Sequence, residues 1–387
     1  MRLSAALEQV RRRPLPLVAV LAAGLAVGFA LALATGDASS DPAKVATVLV
    51  APGTTGPVVV AGGDRSGTPA TENEGGAGAS AGAPIPAEAA PAAGPGDAGR
   101  AAVQRALARG VAAAQRISGP AEAAVWSDDW SAPVLAGDDG RSMRMWSMSK
   151  AVTAVAVLRR QPQPPPELQQ ALVDALTRSE NCAQRRVVMG LQWLTHGAVG
   201  ARNAFEQVLA DAGAGAQVPP QIAPPEAACR AYLQQHAGAL GQHALDAAYQ
   251  YGTATWTVHD AIGFAHALAS GAYGPAGAST LELLGMPKQP GREPGAQLST
   301  NVAWGVGRTF PGWTTAYKAG WGGADEGSFL VGQIAVVQRG GRSVAVAAMV
   351  HPTQQPAVED PGQAHAAEGL EALLREVSAQ LDRTVVR

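Results

Sequence analysis

Lysine is nearly missing from this chain. Four occur among 387 residues, Lys44, Lys150, Lys288 and Lys318, and the other 25 of the 29 basic residues are arginines. Arginine stays protonated, so it replaces lysine on a surface but not where an amine must give up its proton. Each lysine is therefore a candidate for chemistry. Lys44 and Lys288 read as ordinary surface lysines; Lys150 and Lys318 are set apart by their neighbours. Charge of either sign is also sparse, at 16% of residues with a formal net of -2, which leaves no basic field to hold nucleic acid. Cysteine is down to Cys182 and Cys229. His259 and His266 lie on one face of a predicted helix with no third ligand beside them, so they read as surface or packing histidines. No metal and no cofactor is expected. Aromatic residues make up 5% of the chain, and its eight tryptophans are expected mostly in the core.

What is abundant is apolar, at 47%, and much of the rest is glycine and proline. The start of the chain is a membrane signal. Arg11, Arg12 and Arg13 precede the uncharged run PLPLVAVLAAGLAVGFALALA, Pro14 to Ala34, which has about the length of a bilayer span. Basic residues before the run put that end inside and the remainder outside. Residues 1–35 are thus read as an anchor or signal segment. The protein is expected at the cell membrane, single-pass, with an extracytoplasmic C-terminal domain, or secreted if the chain is cut after Ala32-Leu33-Ala34. In an exported chain Cys182 and Cys229 are expected to be oxidised to a disulfide. Residues 36–97, rich in Gly, Ala, Pro, Ser and Thr, read as a tether. Gly78-Ala79-Ser80-Ala81-Gly82 matches G-x-S-x-G inside that tether, but no strand precedes it and no helix follows, so it is low complexity rather than a nucleophile turn.

Residues 98–387 read as the folded domain. A helix is predicted over Arg100–Ile117, from Val103, Leu107, Val111 and Ala114 at helical spacing. Short strands follow near Ala121–Trp126 and Ala132–Ala136. A helix beginning near Ser147 is apolar on every side through Leu158, the mark of a central buried helix. Mostly helical sequence runs from Glu167 to Gly213 with a break near Gly197–Gly200, and helices are expected at Ala227–His236 and Val258–Leu268. Strands are expected at Thr314–Lys318, Phe329–Gln338 and Ser343–Val350, then a last helix over Pro361–Leu381. This order predicts an α+β domain: one antiparallel sheet flanked by helices from both ends of the chain, with a helical subdomain inserted.

Three short motifs follow one another in this frame. In Ser147-Met148-Ser149-Lys150, a hydroxyl and an amine three residues apart share one helical face. A lysine on a buried helix is desolvated, which favours the neutral base. Ser149 has Val152 three residues on and no such partner. Ser179-Glu180-Asn181 offers a second hydroxyl to relay a proton and an amide to orient the base or a substrate carbonyl. Lys318-Ala319-Gly320, read at the end of a strand, offers a cation, with a glycine that lets substrate lie against the strand edge.

Together these motifs resemble the S-x-x-K, S-D-N and K-T-G signatures of the serine β-lactamase and penicillin-binding protein (D,D-peptidase) family. The resemblance runs from about Arg100 to the C-terminus. SENCAQRRVVMGLQWL and TATWTVHDAIGFAHAL look like the helices that follow S-D-N and the omega loop in class A enzymes. It implies a Ser147 acyl-enzyme, with Lys150 as base and Ser179 relaying a proton to the leaving amine. Asn181 and Lys318 would bind substrate, Gly320 would let it approach, and the backbone N–H groups of Ser147 and Trp321 would form an oxyanion hole. The implied partner is a peptidoglycan-like peptide, a β-lactam or a related amide or ester. Three departures stand out. Ala319 replaces a hydroxyl residue, Glu180 replaces aspartate, and the glutamate that activates water in class A enzymes has no counterpart nearer than Glu226, so fast β-lactam hydrolysis is not expected. The other reading is a catalytically impaired relative that serves as a cell-wall or protein binding module.

Overall fold

The computed structural model describes residues 95–218, 229, 251–289, 304–323, 329–352 and 361–384. All of them lie in one compact unit, Pro86–Arg387. The predicted membrane segment, the tether with its G-x-S-x-G match, the helix predicted at Ala227–His236 (Cys229 excepted) and Glu226 lie outside the described residues. Among the described residues, no helix is long and apolar enough to cross a membrane.

The chain enters through α1 (Pro95–Ile117), which starts three residues inside the predicted tether, and turns into β1 (Ala121–Ser127) and β2 (Val134–Ala136). A two-residue strand, β3 (Met143–Arg144), leads into a 3-10 turn at Trp146–Met148 and then α2 (Ser149–Arg160). The helical stretch read from Glu167 to Gly213 is three helices: α3 (Pro166–Thr177), α4 (Asn181–Leu194) and α5 (Ala198–Ala210). After a second 3-10 turn at Tyr251–Thr253 come β4 (Thr255–Trp256), α6 (Val258–Ala269), α7 (Gly274–Gly285) and the short α8 (Val306–Thr309). The last elements are β5 (Thr314–Gly323), β6 (Phe329–Arg339), β7 (Arg342–Val350) and α9 (Pro361–Thr384).

Five strands form one sheet in the order β2-β1-β7-β6-β5, every neighbouring pair antiparallel. β1 closes against β7, so strands from both ends of the domain share the sheet. The strands are apolar almost throughout because both faces are covered. On one face α1 and α9 pack side by side, and their Leu107, Val111, Leu373 and Val377 meet Val125, Ala335 and Val346. On the other face sits the helical block inserted between β2 and β5, with α2 at its centre. Ten consecutive residues of α2, Ser149 to Leu158, are buried, which is why that segment has no polar break. The α+β class, the antiparallel main sheet and the inserted helical block are as expected from sequence; the small second sheet, in which β3 pairs antiparallel with β4, was not foreseen.

β5 is the correction that matters for function. It was expected to stop at Lys318, but it continues to Gly323 and pairs with β6 residue by residue, from Thr314 opposite Gln338 to Gly323 opposite Phe329. As the last strand of the sheet, β5 has one edge with no strand neighbour among the described residues. Lys318, Gly320 and Trp321 therefore lie within an edge strand rather than at its end. α7 was not foreseen at all, because Gly274, Pro275, Gly277 and Gly285 mask its helical spacing.

Candidate active site

Ser147 is the middle residue of the 3-10 turn that feeds α2. Lys150 follows three residues on, in the first turn of α2. Two contacts hold the turn. Met145 N–H donates to the Ala254 carbonyl at 2.7 Å, and Met148 N–H to the Met145 carbonyl at 3.0 Å. Trp146 adopts φ 44°, a left-handed conformation rare for a bulky side chain. The hydroxyl of Ser149 donates back to the Trp146 carbonyl at 2.7 Å and is thus occupied structurally.

Lys150 is buried. Its Nζ donates to the Ser179 carbonyl at 2.5 Å, to Asn181 Oδ1 at 2.9 Å and, more weakly, to Ser179 Oγ at 3.4 Å. Ser179 lies between α3 and α4 with φ 59°, again left-handed. Two of the three non-glycine residues with positive φ among the described residues thus belong to this site. Such strain persists where the surroundings over-determine it, and it clusters at functional sites. Asn181, the first residue of α4, is exposed and accepts from the amine through Oδ1. Cys182 follows it and is joined by a disulfide to Cys229, 47 residues along the chain.

Lys318 arrives from β5. Its Nζ donates to Ser179 Oγ at 2.8 Å and to the Ala319 carbonyl at 2.9 Å. The Ser179 hydroxyl is therefore shared by two lysine amines from opposite ends of the domain. Burial pushes the Lys318 amine well below the ordinary lysine range, and the nearby charges of Lys150 and Lys288 push the same way. The two amines disfavour each other's charge across the shared hydroxyl.

Gly320 explains how close β5 comes to the serine turn. A Cβ there would stand 2.9 Å from the Met145 carbonyl oxygen and 3.1 Å from the Met148 backbone nitrogen. Only glycine permits that approach. Two residues on, a Cβ at Gly322 would fall 2.5 Å from the Trp146 ring. The ring of Trp321 packs against Phe329 and the α1/α9 side of the sheet, with centroids 5.8 Å apart. Of Trp321, only the backbone belongs to the site. Ala319 puts its methyl into that same apolar cluster and supplies no hydroxyl.

Lys288 was expected on the surface. Instead its Nζ donates to the Leu284 carbonyl at 2.7 Å and lies 4.8 Å from the centre of the Tyr317 ring, and burial lowers its pKa to about 7. The residue is half-buried overall, but its amine is the buried part. Of the two histidines considered for a metal, His266 stacks on Trp126 with ring centroids 4.0 Å apart. No group of three or more metal-ligating side chains occurs among the described residues.

No family model and no curated protein sequence matches this chain. Solved structures to which it is similar include a β-lactamase from Streptosporangium roseum, at 15% identity and a TM-score of 0.48, over 73% of this chain and 98% of that one. The acyl-enzyme complex of PBP-A with penicillin G is similar at 15% identity and a TM-score of 0.48, over 73% of this chain and 96% of that one. The transpeptidase domain of a D,D-transpeptidase from Legionella pneumophila is similar at 15% identity and a TM-score of 0.45, over 72% of this chain and 96% of that one.

Proposed function

We propose that this chain is a serine acyl-transfer enzyme that forms an ester at Ser147 with a peptide, β-lactam or related amide or ester. The observation that carries this reading is the convergence on Ser179: amines from α2 and β5, 168 residues apart in number between Lys150 and Lys318, bond the same hydroxyl beside the Ser147 turn. Ser147 Oγ attacks the carbonyl carbon as its proton passes to Lys150 Nζ. The C–N or C–O bond to the leaving group then breaks, and the leaving atom takes a proton from Ser179 Oγ, which is resupplied from the adjacent lysine amine. The developing oxyanion is met by backbone N–H groups of Ser147 and Trp321, a reading supported by the close approach of Gly320 to Met145 and Met148; preorganised donors of this kind are among the larger contributions to catalysis. Water or an amine then releases the acyl group. Lys318 attracts a substrate carboxylate.

The test is covalent. Full-length protein in detergent is incubated with a labelled penicillin and with a general serine-hydrolase probe, and adducts are mapped by mass spectrometry. One adduct at Ser147, lost in Ser147→Ala, is the expected result; an adduct that survives Ser147→Ala sinks the assignment. The buried methyl of Ala319, in place of a hydroxyl, favours a second reading as a non-catalytic binding module. Saturable binding of cell-wall peptide with no adduct would select it.

We also propose that Pro14–Ala34 anchors the protein in the membrane with the folded domain outside, on the strength of the uncharged run and the arginines before it. External protease should degrade the domain in intact cells or spheroplasts; protection would overturn the orientation.

A further inference from the structure

The reaction proposed above leaves one end of the helical block without work. α3 and α4 run antiparallel: a Cβ at Gly190 would meet the Leu168 side chain at 2.9 Å, and Arg186 Nη2 lies 3.6 Å from Glu167 Oε2. The start of α3 and the end of α4 therefore share one tip, and α5 begins there after three linking residues. Pro165, Pro166, Trp193, His196 and Val199 are exposed at this tip. Trp193 is 64% exposed and Val199 74%, and they are the exposed large apolar side chains among the described residues. Residues 161–166 and 187–201 contain no Asp, Glu, Lys or Arg. The acids nearest the tip, Glu167 and Glu206, each lie within ion-pair distance of an arginine. The turn is firmly held: Thr195 Oγ1 donates to the Leu191 carbonyl at 2.7 Å, and Gly197 N–H to the Gln192 carbonyl at 2.8 Å. Trp193 is thus presented to solvent on a fixed frame.

A lone exposed aromatic is ordinary on a protein surface, but an uncharged helix-end tip built round one is not. We infer that this tip docks onto the lipid–water interface of the membrane, with Trp193 and Val199 entering the headgroup layer. The inference rests on the anchor reading, which supplies the bilayer. Tryptophan favours that interface because its ring is apolar while its N–H can stay wet. Between Ala34 and Pro95 lie 60 residues, and a Gly-rich linker of that length spans about 40 Å. The tip can therefore reach the surface in which the anchor sits, and a weak contact suffices when it is kept that near. Charge does not oppose the approach. Both nearby acids are paired, and Arg160, exposed at the rim, would face anionic headgroups favourably. A second protein is the poorer fit. A stable interface takes about 800 Å² from each partner, more than a turn with two large apolar side chains supplies. Docking would give the domain a second contact with the bilayer and so a fixed orientation on it.

The test uses the full-length protein reconstituted into vesicles of phosphatidylcholine and phosphatidylglycerol. The native cysteines are held in a disulfide, so an environment-sensitive fluorophore can be placed on Val199→Cys, and for comparison on Arg375→Cys of α9, across the sheet from the helical block. Nitroxide-bearing lipids should quench the label at 199 more strongly than the label at 375. Adding Trp193→Gln to the first variant should lower the docked fraction about tenfold, the scale of one large apolar side chain withheld from the interface. Trp193 is exposed, so the substitution should leave the far-UV circular dichroism unchanged. Equal quenching at the two positions overturns the docking while leaving the anchor intact, and this comparison stands whether or not Trp193→Gln folds. Undiminished quenching in a folded Trp193→Gln variant also overturns it. A label at 199 that native membranes shield but these vesicles do not quench means that a protein covers the tip, and overturns the lipid assignment. Release of the protein from the vesicles by alkaline carbonate overturns the anchor reading and this inference with it.

Discussion

Lys318 Nζ lies 2.8 Å from Ser179 Oγ, across 139 residues of chain. The bond joins the edge strand of the sheet to the helical block and closes one side of the site. Lys150 holds the same turn from the other side, through the Ser179 carbonyl. Position and chemistry are therefore separable at Ser179: its carbonyl anchors the turn, whereas its hydroxyl is the proton path in the mechanism proposed above.

Replacing Ser179 tests that separation. Ser179→Gly removes the hydroxyl but suits φ 59°. Ser179→Ala removes it and leaves a side chain in a left-handed conformation, at a cost of about 1 kcal/mol. Both variants should lose about 100-fold in acylation rate, within the range for one proton-transfer group. Their melting temperatures should differ, with glycine the more stable. A glycine variant that acylates at the wild-type rate would remove the hydroxyl from the mechanism.

Gly320→Ala should separate β5 from the serine turn. The new methyl meets backbone atoms of Met145 and Met148 rather than a yielding side-chain tip, so the strand or the turn has to shift. Acylation should fall by at least about tenfold, since sub-ångström errors at an oxyanion site are costly. Non-covalent affinity for substrate should change less. Equal losses in binding and rate would show that the glycine serves substrate access instead.

The legible part of the site was the part written in short-range spacing. Ser147 and Lys150 are three apart on a helix, and Ser179 and Asn181 flank one helix start, so chain order alone suggested their roles. Lys288 was misread because its local sequence, Met286-Pro287-Lys288-Gln289-Pro290, has the look of an exposed turn. Its burial comes from Tyr317, far along the chain, and no local pattern records that contact. The length of β5 was missed for a similar reason: Gly320, Gly322 and Gly323 read as a turn, yet Gly320 and Gly322 are the residues that let an edge strand pass under Met148 and Trp146. The strands β6 and β7 were legible because unbroken runs of valine and alanine have few other destinations.

The Cys182–Cys229 disulfide closes a loop across 47 residues. In the chain-entropy picture it contributes about 4 kcal/mol. Reduction should release two thiols and lower the melting temperature by about 10 °C for a domain of this size. Because Cys182 follows Asn181, which orients the Lys150 amine, reduced protein still folded at 25 °C should also acylate more slowly. Full acylation activity after complete reduction would confine the bond to a purely structural role.

The lysine cluster also sets how stability depends on pH. In the fold, Lys288 titrates near 7 and Lys318 well below its ordinary range; on unfolding both return to about the free value of 10.5. Between about pH 7 and 10 the unfolded chain therefore holds protons that the folded chain lacks. Stability rises with pH wherever the unfolded state binds more protons, so it should climb from pH 7 to 9. The half-buried His266, shifted downward by desolvation, acts below 6.5, and Tyr317, pushed up to about 12, begins to oppose the trend only near pH 10. Neither interferes in the chosen interval. Melting temperatures at pH 7, 8 and 9 should increase in the wild type. The increase should be smaller in Lys288→Met, which should be the more stable protein at pH 7 because the cost of burying that amine is gone. A wild-type melting temperature that is flat or falls over this interval would mean that the amines are solvated in the folded protein.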